Sequence, residues 1–337
     1  MKRLIKVFMV VFGMFFAAIQ CLAATQVSVD NYVRAETDMT MKNYVEKGAF
    51  GKFLHIRKPT PIDEQKVIRM NRDTIYSMGV FDLTEPMTII KPDSKGRFQS
   101  MQVIDQDHYT LEVAYDKGEY TFTKDKVGTR YIIILIRTFV DANNPADIEA
   151  ANKLQDEFMV RQMTSGSFDV PDWDEVSLTN IRETINVLAA TRGSAKGMFG
   201  SKGEVDPVSH LLGTAYGWGG NPEKAAFYET VTPEKNDGKT PYTLTISEKV
   251  PVDGFVSITV YNAKGFMEKN KFNAYSVNNV TAKRNNDGSV TIHFGGDSSA
   301  TNYLPITPGW NYVVRLYKPQ PQIVEGFWTF PKPVPVD

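Results

Sequence analysis

Cysteine is almost absent from this chain of 337 residues. Its one thiol, that of Cys21, lies in the first 24 residues, so the remainder can form no disulfide bond, no thiolate metal site and no thiol nucleophile. The stability of that remainder must come from a buried core, and about 310 residues are enough to form one.

Neither sign of charge is in excess. Lysine and arginine number 38 against 39 aspartates and glutamates, for a net charge of −1. Without a basic stripe there is no electrostatic footprint for nucleic acid, and we predict no nucleic-acid partner. The phosphate-binding and dinucleotide-binding motifs are missing, and the four histidines include no HExxH pair. We therefore predict no metal centre, and the sequence indicates no particular cofactor.

The apolar run near the start of the chain is too short to span a bilayer. This run, Val7–Ile19, follows a positive start that contains Lys2 and Arg3, and small residues follow it up to Ala24. The combination is typical of a secretory signal peptide. We predict a signal peptide over residues 1–24 and a periplasmic or secreted protein without a stable membrane anchor. An uncleaved anchor is the alternative.

Aromatic residues are abundant, at 12% of the chain, and are led by 20 phenylalanines and 15 tyrosines. This composition favours β structure. Strand-like patterns fill the first and last parts of the chain, and helical periodicity fills the middle. We therefore predict the α+β fold class, mainly β, with two β-rich lobes joined by a helical segment.

The first lobe is predicted over residues 25–140. An opening helix is indicated by apolar residues at helical spacing between Val33 and Tyr44. Short strands separated by turn residues follow. The run from Tyr131 to Val140 is almost unbroken in its apolar character and is interrupted by Arg137, which predicts a strand covered on both faces.

The helical segment is predicted over residues 141–230. Asn144 and Pro145 form an N-cap and first-turn pair. A second helix has one apolar face, made of Leu178, Ile181, Ile185 and Leu188. A glycine-rich stretch over 193–221 and a short helix over 222–228 complete the segment.

The second lobe is predicted over residues 231–337. Phe255–Asn262 alternates with period two, which places Val256, Ile258 and Val260 on one face. Asn286-Asp287-Gly288 predicts a hairpin turn. Trp310–Tyr317 is the last predicted strand, and the prolines after it cannot lie in a central strand.

Two stretches of the sequence resemble a known pair of domains. Residues 71–108 contain NRDTIYS, and residues 255–331 contain NYLPITPGWNYVVRLYK. Both resemble the paired DUF1254/DUF1214 family of exported bacterial proteins. The resemblance implies a DUF1254-like first lobe and a DUF1214-like second lobe that is a β-sandwich of jelly-roll type. It implies no established chemistry.

The NRDTIYS stretch crowds polar groups just ahead of a predicted strand. We predict Asp73 as the acceptor of a ligand hydroxyl, Tyr76 as a donor, and Asn71 and Arg72 as further ligand contacts. The alternative is a turn in which Asn71 and Asp73 hold the backbone through their own side chains.

A second polar cluster, Asp105-Gln106-Asp107-His108, ends the next long strand. His108 is a candidate general base that Asp105 would orient. A metal site or a merely polar strand end are the alternatives. If the strand ends are adjacent, Asp105 and His108 meet Asp73 and Tyr76 in one catalytic site, where histidine titrates near neutral pH.

Aromatic side chains of the second half are candidates for stacking on a ligand. We predict this role for Trp218, Tyr261 and Tyr275. Arg315 lies on the strand face opposite to its neighbours, and it could bind an anionic group. The alternative is an ordinary sandwich core with an arginine on its solvated face.

These features favour a protein that binds or hydrolyses a small molecule or glycan in a polar, aromatic cleft. The alternative is a non-catalytic structural or interaction protein of the cell envelope, and a homo-oligomer is compatible with both. The test is whether the candidate residues converge on one concave pocket.

Overall fold

The computed structural model describes residues 24–65, 68–247 and 250–336. The predicted signal peptide, apart from Ala24, lies outside the described residues. No helix within the described ranges is long and apolar enough to cross a membrane.

The first lobe contains eight strands and five helices within the described part of the chain. These elements are α1 (Tyr32–Glu46), β1 (Leu54–His55), β2 (Thr74–Asp82), β3 (Met87–Lys91), β4 (Gln99–Asp105), β5 (Thr110–Ala114), β6 (Gly118–Phe122), α2 (Lys124–Val127), β7 (Tyr131–Phe139), α3 (Pro145–Asp156), β8 (Met159–Arg161), α4 (Glu175–Ala190) and α5 (Pro207–Gly217).

Two antiparallel sheets form the β part of the first lobe. One has the strand order β1-β2-β7-β4-β5, and the other has the order β6-β3-β8. Their facing sides share a core that includes Phe81, Ile89, Met101 and Ile134, all with 0% exposure. The strand β7 is central and covered on both sides, as the unbroken apolar run around Arg137 predicts.

Helices cover the other side of the five-stranded sheet. Met41 of α1 packs there against Val80 and Ile133. The helices α1, α4 and α5 in turn share a core around Tyr32, Ile185 and other apolar residues. The first lobe is therefore layered as three-stranded sheet, five-stranded sheet and helices.

The second lobe is almost entirely β. Its elements are β9 (Ala226–Val231), β10 (Tyr242–Ile246), β11 (Val256–Tyr261), β12 (Ser276–Asn278), β13 (Val290–Phe294), β14 (Tyr303–Leu304), β15 (Asn311–Tyr317), α6 (Pro321–Val324) and β16 (Val334–Pro335).

Two four-stranded sheets of the second lobe pack face to face. Their orders are β12-β11-β15-β9 and β14-β13-β10-β16, and every pair is antiparallel except β13 with β14. The core between them contains Ile258, Ile292 and Val314, each at most 1% exposed. The predicted inward face of β11 is thus confirmed, and the jelly-roll type stays a prediction.

Both faces of β11 and β15 are buried, because the outer face of their sheet packs on the first lobe. Ser257 and Thr259 on that face have 0% exposure, and Arg315 has 4%. Alternation in a strand shows which residues share a face, but it does not show whether the polar face meets water or another lobe. The solvated position considered for Arg315 is therefore wrong.

One helix in the middle of the chain lies elsewhere than predicted. The stretch from Pro222 to Tyr228 is no helix, because β9 begins at Ala226 and joins the second lobe. The predicted boundary between residues 230 and 231 falls inside that strand. The helix α5 occupies part of the stretch predicted as glycine-rich loop. Leu188, predicted on the apolar face of α4, is 57% exposed.

Candidate functional site

Asp73 joins the two lobes. Its carboxylate accepts hydrogen bonds from the Ser257 hydroxyl, from the Ser276 hydroxyl at 3.2 Å and from the Asn278 amide at 3.1 Å, all on the second lobe. Its own backbone N–H donates to Oδ1 of Asn71 at 2.7 Å. Asp73 is 2% exposed. Both of its oxygens are therefore engaged by protein donors.

The neighbours of Asp73 have similar roles between the lobes. The Asn71 amide donates to the Tyr317 hydroxyl at 2.9 Å. The Arg72 guanidinium donates to the carbonyl of Thr60 and lies 5.3 Å from the ring centre of Tyr275. These contacts match the turn alternative for this motif and extend it across the junction of the lobes.

Arg315 and Tyr261 are likewise occupied by protein partners. The Arg315 guanidinium donates to Thr259 Oγ1 at 2.9 Å, to the Tyr261 hydroxyl at 2.6 Å and to the carbonyl of Arg69 at 2.8 Å. The Tyr261 hydroxyl donates to the carbonyl of Met70 at 2.8 Å. A ligand would have to displace these bonds to reach either side chain.

His108 is enclosed between helix α5 and the loop that follows it. Its Nδ1 lies 2.9 Å from the Thr214 hydroxyl, and its Nε2 accepts the Gly219 N–H at 2.9 Å. Because the Thr214 hydroxyl donates to the carbonyl of His210 at 2.9 Å, the proton between Thr214 and His108 belongs to Nδ1. Trp218 stacks on the imidazole with ring centres 5.2 Å apart.

Burial, together with the nearby His210, lowers the pKa of His108 to about 3. A neutral imidazole with both nitrogens engaged holds the loop after α5 on the first lobe. This geometry favours a structural role for His108.

Asp105 closes the turn between β4 and β5. Its Oδ1 accepts the backbone N–H groups of Asp107 and Tyr109, each at 2.9 Å. Burial raises the pKa of the Asp105 carboxyl to about 6, and these two bonds oppose the rise. An unfolded aspartate has a pKa of about 3.9. The carboxyl therefore ionises at lower pH in the unfolded chain than in the folded one. As a result, the free energy of unfolding decreases as the pH rises from about 4 to about 6.

Asp105→Asn is expected to stabilise the protein by about 1–2 kcal/mol at pH 7. The asparagine oxygen keeps both turn hydrogen bonds, and the buried charge is gone. Urea unfolding of both proteins at pH 7 and pH 4 measures the effect. The gain should shrink to about 0.5 kcal/mol or less at pH 4, where the folded carboxyl is protonated and the unfolded one is about half protonated. An equal gain at both pH values, or a loss at pH 7, would contradict this account.

The two predicted pairs of catalytic residues lie at opposite ends of the five-stranded sheet. Thr74, next to Asp73, pairs with Phe139, whereas Asp105 pairs with Ile132. Seven residues of β7 separate these rows, which corresponds to roughly 24 Å along an antiparallel strand. The structure therefore does not assemble the single catalytic site that we expected from Asp73 and Asp105.

A different group of side chains meets where the two lobes join. Along one face of β7, Leu135 lies under the helices and Phe139 lies under the second lobe. Arg137 is between them on the same face, and it pairs with Tyr76 of β2. Arg137 and Tyr76 therefore lie at the boundary between the part of the sheet that the helices cover and the part that the second lobe covers. We call this boundary the seam.

Tyr228 of β9 reaches this seam from the second lobe. Its hydroxyl accepts a hydrogen bond from the Asn221 amide at 2.7 Å. Burial raises the pKa of Tyr228, and Arg137 and Tyr76 are close enough to influence it. Nevertheless 43% of the residue is exposed. Tyr228 therefore lies where the junction of the two lobes opens to solvent.

Tyr44 of α1 completes the group. It packs beside Tyr76 at the end of the core under α1. Burial raises the pKa of Tyr44, and Tyr76 and Arg137 act on it electrostatically. Both tyrosines are half-buried, and their hydroxyls have no hydrogen-bond partner within the described ranges. We call Tyr44, Tyr76, Arg137, Asn221 and Tyr228 the tyrosine recess.

Sequence reasoning singled out only Tyr76 among these five residues as a site residue. Arg137 did carry a signal, because a charge inside an apolar strand is costly to bury without a purpose. Tyr228 was missed because we predicted a helix over 222–228, where the structure has the start of β9. Tyr44 and Asn221 carried no signal, since they join the recess only through tertiary packing. The described residues contain no group of three or more potential metal ligands.

Comparisons with known proteins agree with this architecture. The family model DUF1254 matches residues 50–119, and DUF1214 matches residues 226–321. Each is described as a protein of unknown function. A search of curated proteins finds no match.

Two solved structures share the fold. The VPA0106 protein from Vibrio parahaemolyticus is 19% identical with a TM-score of 0.67, over 92% of this chain and 98% of that one. An uncharacterised protein from Burkholderia cenocepacia is 11% identical with a TM-score of 0.50, over 91% of this chain and 88% of that one. With both domain matches present in this order, the chain is a DUF1254/DUF1214 domain-containing protein.

Proposed function

We propose that this protein binds a small molecule in the tyrosine recess. The observation that carries the proposal is Tyr228, which is 43% exposed although it lies among buried groups of both lobes. Aromatic faces stack on sugars and flat molecules, and phenol hydroxyls bind their polar groups. The hydroxyls of Tyr44 and Tyr76 have no protein partner in the part of the chain that the structure describes, so they are available to a ligand.

Binding is favoured over hydrolysis. Three of the four side chains that we predicted as catalytic are engaged elsewhere: Asp73 by donors of the second lobe, Asp105 by the turn that it closes, and His108 by Thr214 and Gly219. Only Tyr76 lies in the recess. The five recess residues offer hydroxyls, an amide and a guanidinium, but no carboxylate or imidazole to transfer a proton near neutral pH.

The place of action that we propose is the periplasm or the exterior. This part of the proposal rests on the first 24 residues, whose positive start, short apolar run and small residues are those of a signal peptide. The intact mass of the protein purified from a secreting host should equal that of a chain that begins at Ala24 or Thr25.

A binding screen with a matched pair of variants tests the function. Tyr228→Trp fills the recess, and Tyr216→Trp makes the same change on α5 at a position that is 53% exposed. Thermal shift and calorimetry with a panel of small sugars, phenols and carboxylic acids should detect ligands for the wild type and for Tyr216→Trp. Tyr228→Trp should lose at least about tenfold in affinity, or 1.4 kcal/mol.

Two outcomes would contradict the proposal. One is a wild type that binds nothing in the panel, and the other is a ligand that binds all three proteins equally well. Circular dichroism and the melting temperature of each variant show that a loss of binding is not a loss of folding.

A non-catalytic interaction protein is the second candidate, and one observation favours it. The helix α4 exposes three apolar side chains, Val176 at 68%, Val187 at 71% and Leu188 at 57%. Such a surface suits another copy of the chain better than water. Light scattering of the wild type and of Val187→Asp distinguishes a dimer that uses this helix from a monomer.

A further inference from the structure

Arg137 is a buried cation surrounded by neutral groups. It is 7% exposed. Its guanidinium donates to Oε1 of Gln102 at 2.7 Å and to the carbonyl of Gly219 at 3.0 Å. No carboxylate in residues 24–65, 68–247 and 250–336 forms an ion pair with it. Burying a charge without an opposite charge is costly, so this position requires an explanation.

The charges at the junction of the lobes do not balance. Arg137 and Arg315 act electrostatically on Tyr228, and Arg315 and Asp73 act on Tyr317. Asp73 is the one carboxylate among these three, and it also acts on Arg315. Asp73 acts on the buried Arg72 as well. Arg137, in contrast, is the one charged side chain among the five residues of the tyrosine recess, so a single positive charge has no opposite charge there.

The phenols cannot supply the missing negative charge. Burial raises the pKa of Tyr44, Tyr228 and Tyr317, and it raises the pKa of Tyr115 to about 12. These hydroxyls therefore remain protonated at neutral pH. A protonated phenol is a hydrogen-bond donor as well as an acceptor, and donors around a cation form a binding site for an anion.

We propose that the ligand of the tyrosine recess is a small monocarboxylate whose negative charge is held by Arg137. This rests on the function proposed above and specifies the ligand class. One uncompensated positive charge suits a single negative charge, and the planar guanidinium suits a planar carboxylate. The hydroxyls of Tyr44, Tyr76 and Tyr228 donate to the ligand, whose body packs on their rings.

An aromatic acid and a uronic acid share this chemistry, and matched pairs of ligands distinguish them. Calorimetry compares 4-hydroxybenzoate with 4-hydroxybenzamide, and glucuronate with glucuronamide. In each pair the shape is nearly constant and only the charge changes. The wild type should bind at least one acid about tenfold or more tightly than its amide.

Arg137→Gln should remove this preference, so that the acid binds no better than the amide while the affinity for the amide changes little. Arg161→Gln is the control, because Arg161 is exposed and pairs with Glu119 on the surface. Arg161→Gln should keep the wild-type preference. Arg137→Lys keeps the charge without the planar fork and should retain part of it.

The outcomes separate the ligand class from the function. If the wild type binds acid and amide equally, and Tyr228→Trp weakens both, the recess binds a neutral ligand and the role of Arg137 is refuted. If none of the four compounds binds the wild type, the monocarboxylate class is refuted, and the wider panel decides the function separately. The comparison of acid with amide needs only the wild type. The proposal can therefore be refuted even if Arg137→Gln does not fold.

Discussion

Asp73→Ala is expected to lower the free energy of unfolding by about 3–5 kcal/mol. The carboxylate accepts hydrogen bonds from Ser257, Ser276 and Asn278 of the second lobe. Its removal leaves these buried donors without an acceptor, and each unsatisfied group costs about 1–3 kcal/mol. Urea unfolding monitored by circular dichroism measures the loss.

Two further variants make this result specific. Asp93→Ala removes a carboxylate that pairs with Lys117 at the surface, and it should change the stability far less than Asp73→Ala. Asp73→Asn keeps one acceptor oxygen and should lie between the other two. A loss below about 1 kcal/mol for Asp73→Ala would show that the junction does not depend on this carboxylate.

Ile258→Ala is expected to cost about 2–5 kcal/mol of unfolding free energy. Ile258 is 1% exposed in the core of the second lobe, and its strand pairs there with β12 and β15. The substitution removes three side-chain carbons and leaves a cavity that packed strands cannot close. The midpoint and slope of a urea titration report the change.

Val280→Ala is the matched control for the sandwich core. Val280 is 60% exposed, so its truncation should change stability by less than about 0.5 kcal/mol. If the two substitutions cost the same, the core of the second lobe is not formed as described.

The strands of this protein could largely be predicted from local sequence. The apolar run before Val140 predicted β7, and alternation in Phe255–Asn262 predicted β11 with its inward residues. These signals are local, because the alternation of apolar and polar residues can be recognised within a few neighbouring positions. The helix α5 was not predicted, because Gly213 and Gly217 weaken the helical pattern.

The candidate site could not be predicted in the same way. Strand order and register decide that Asp73 and Asp105 lie at opposite ends of one sheet, and neither is written in local periodicity. The recess likewise depends on β9, which follows the helical segment along the chain and yet pairs with β15. Within the recess, the sequence indicated Tyr76 through its motif and Arg137 as a charge in a mostly apolar stretch.

Because the recess lies between the lobes, the function that we propose for it requires both domains. Tyr76 lies in the DUF1254 match, Tyr228 lies in the DUF1214 match, and Arg137 lies outside both. Either domain transplanted alone would carry an incomplete set of contacts and an uncovered polar sheet face. Recombination can exchange a domain between genes without loss of function only if all residues of its site are exchanged together. In this architecture selection would act on the pair of domains and on the chain between them as one gene.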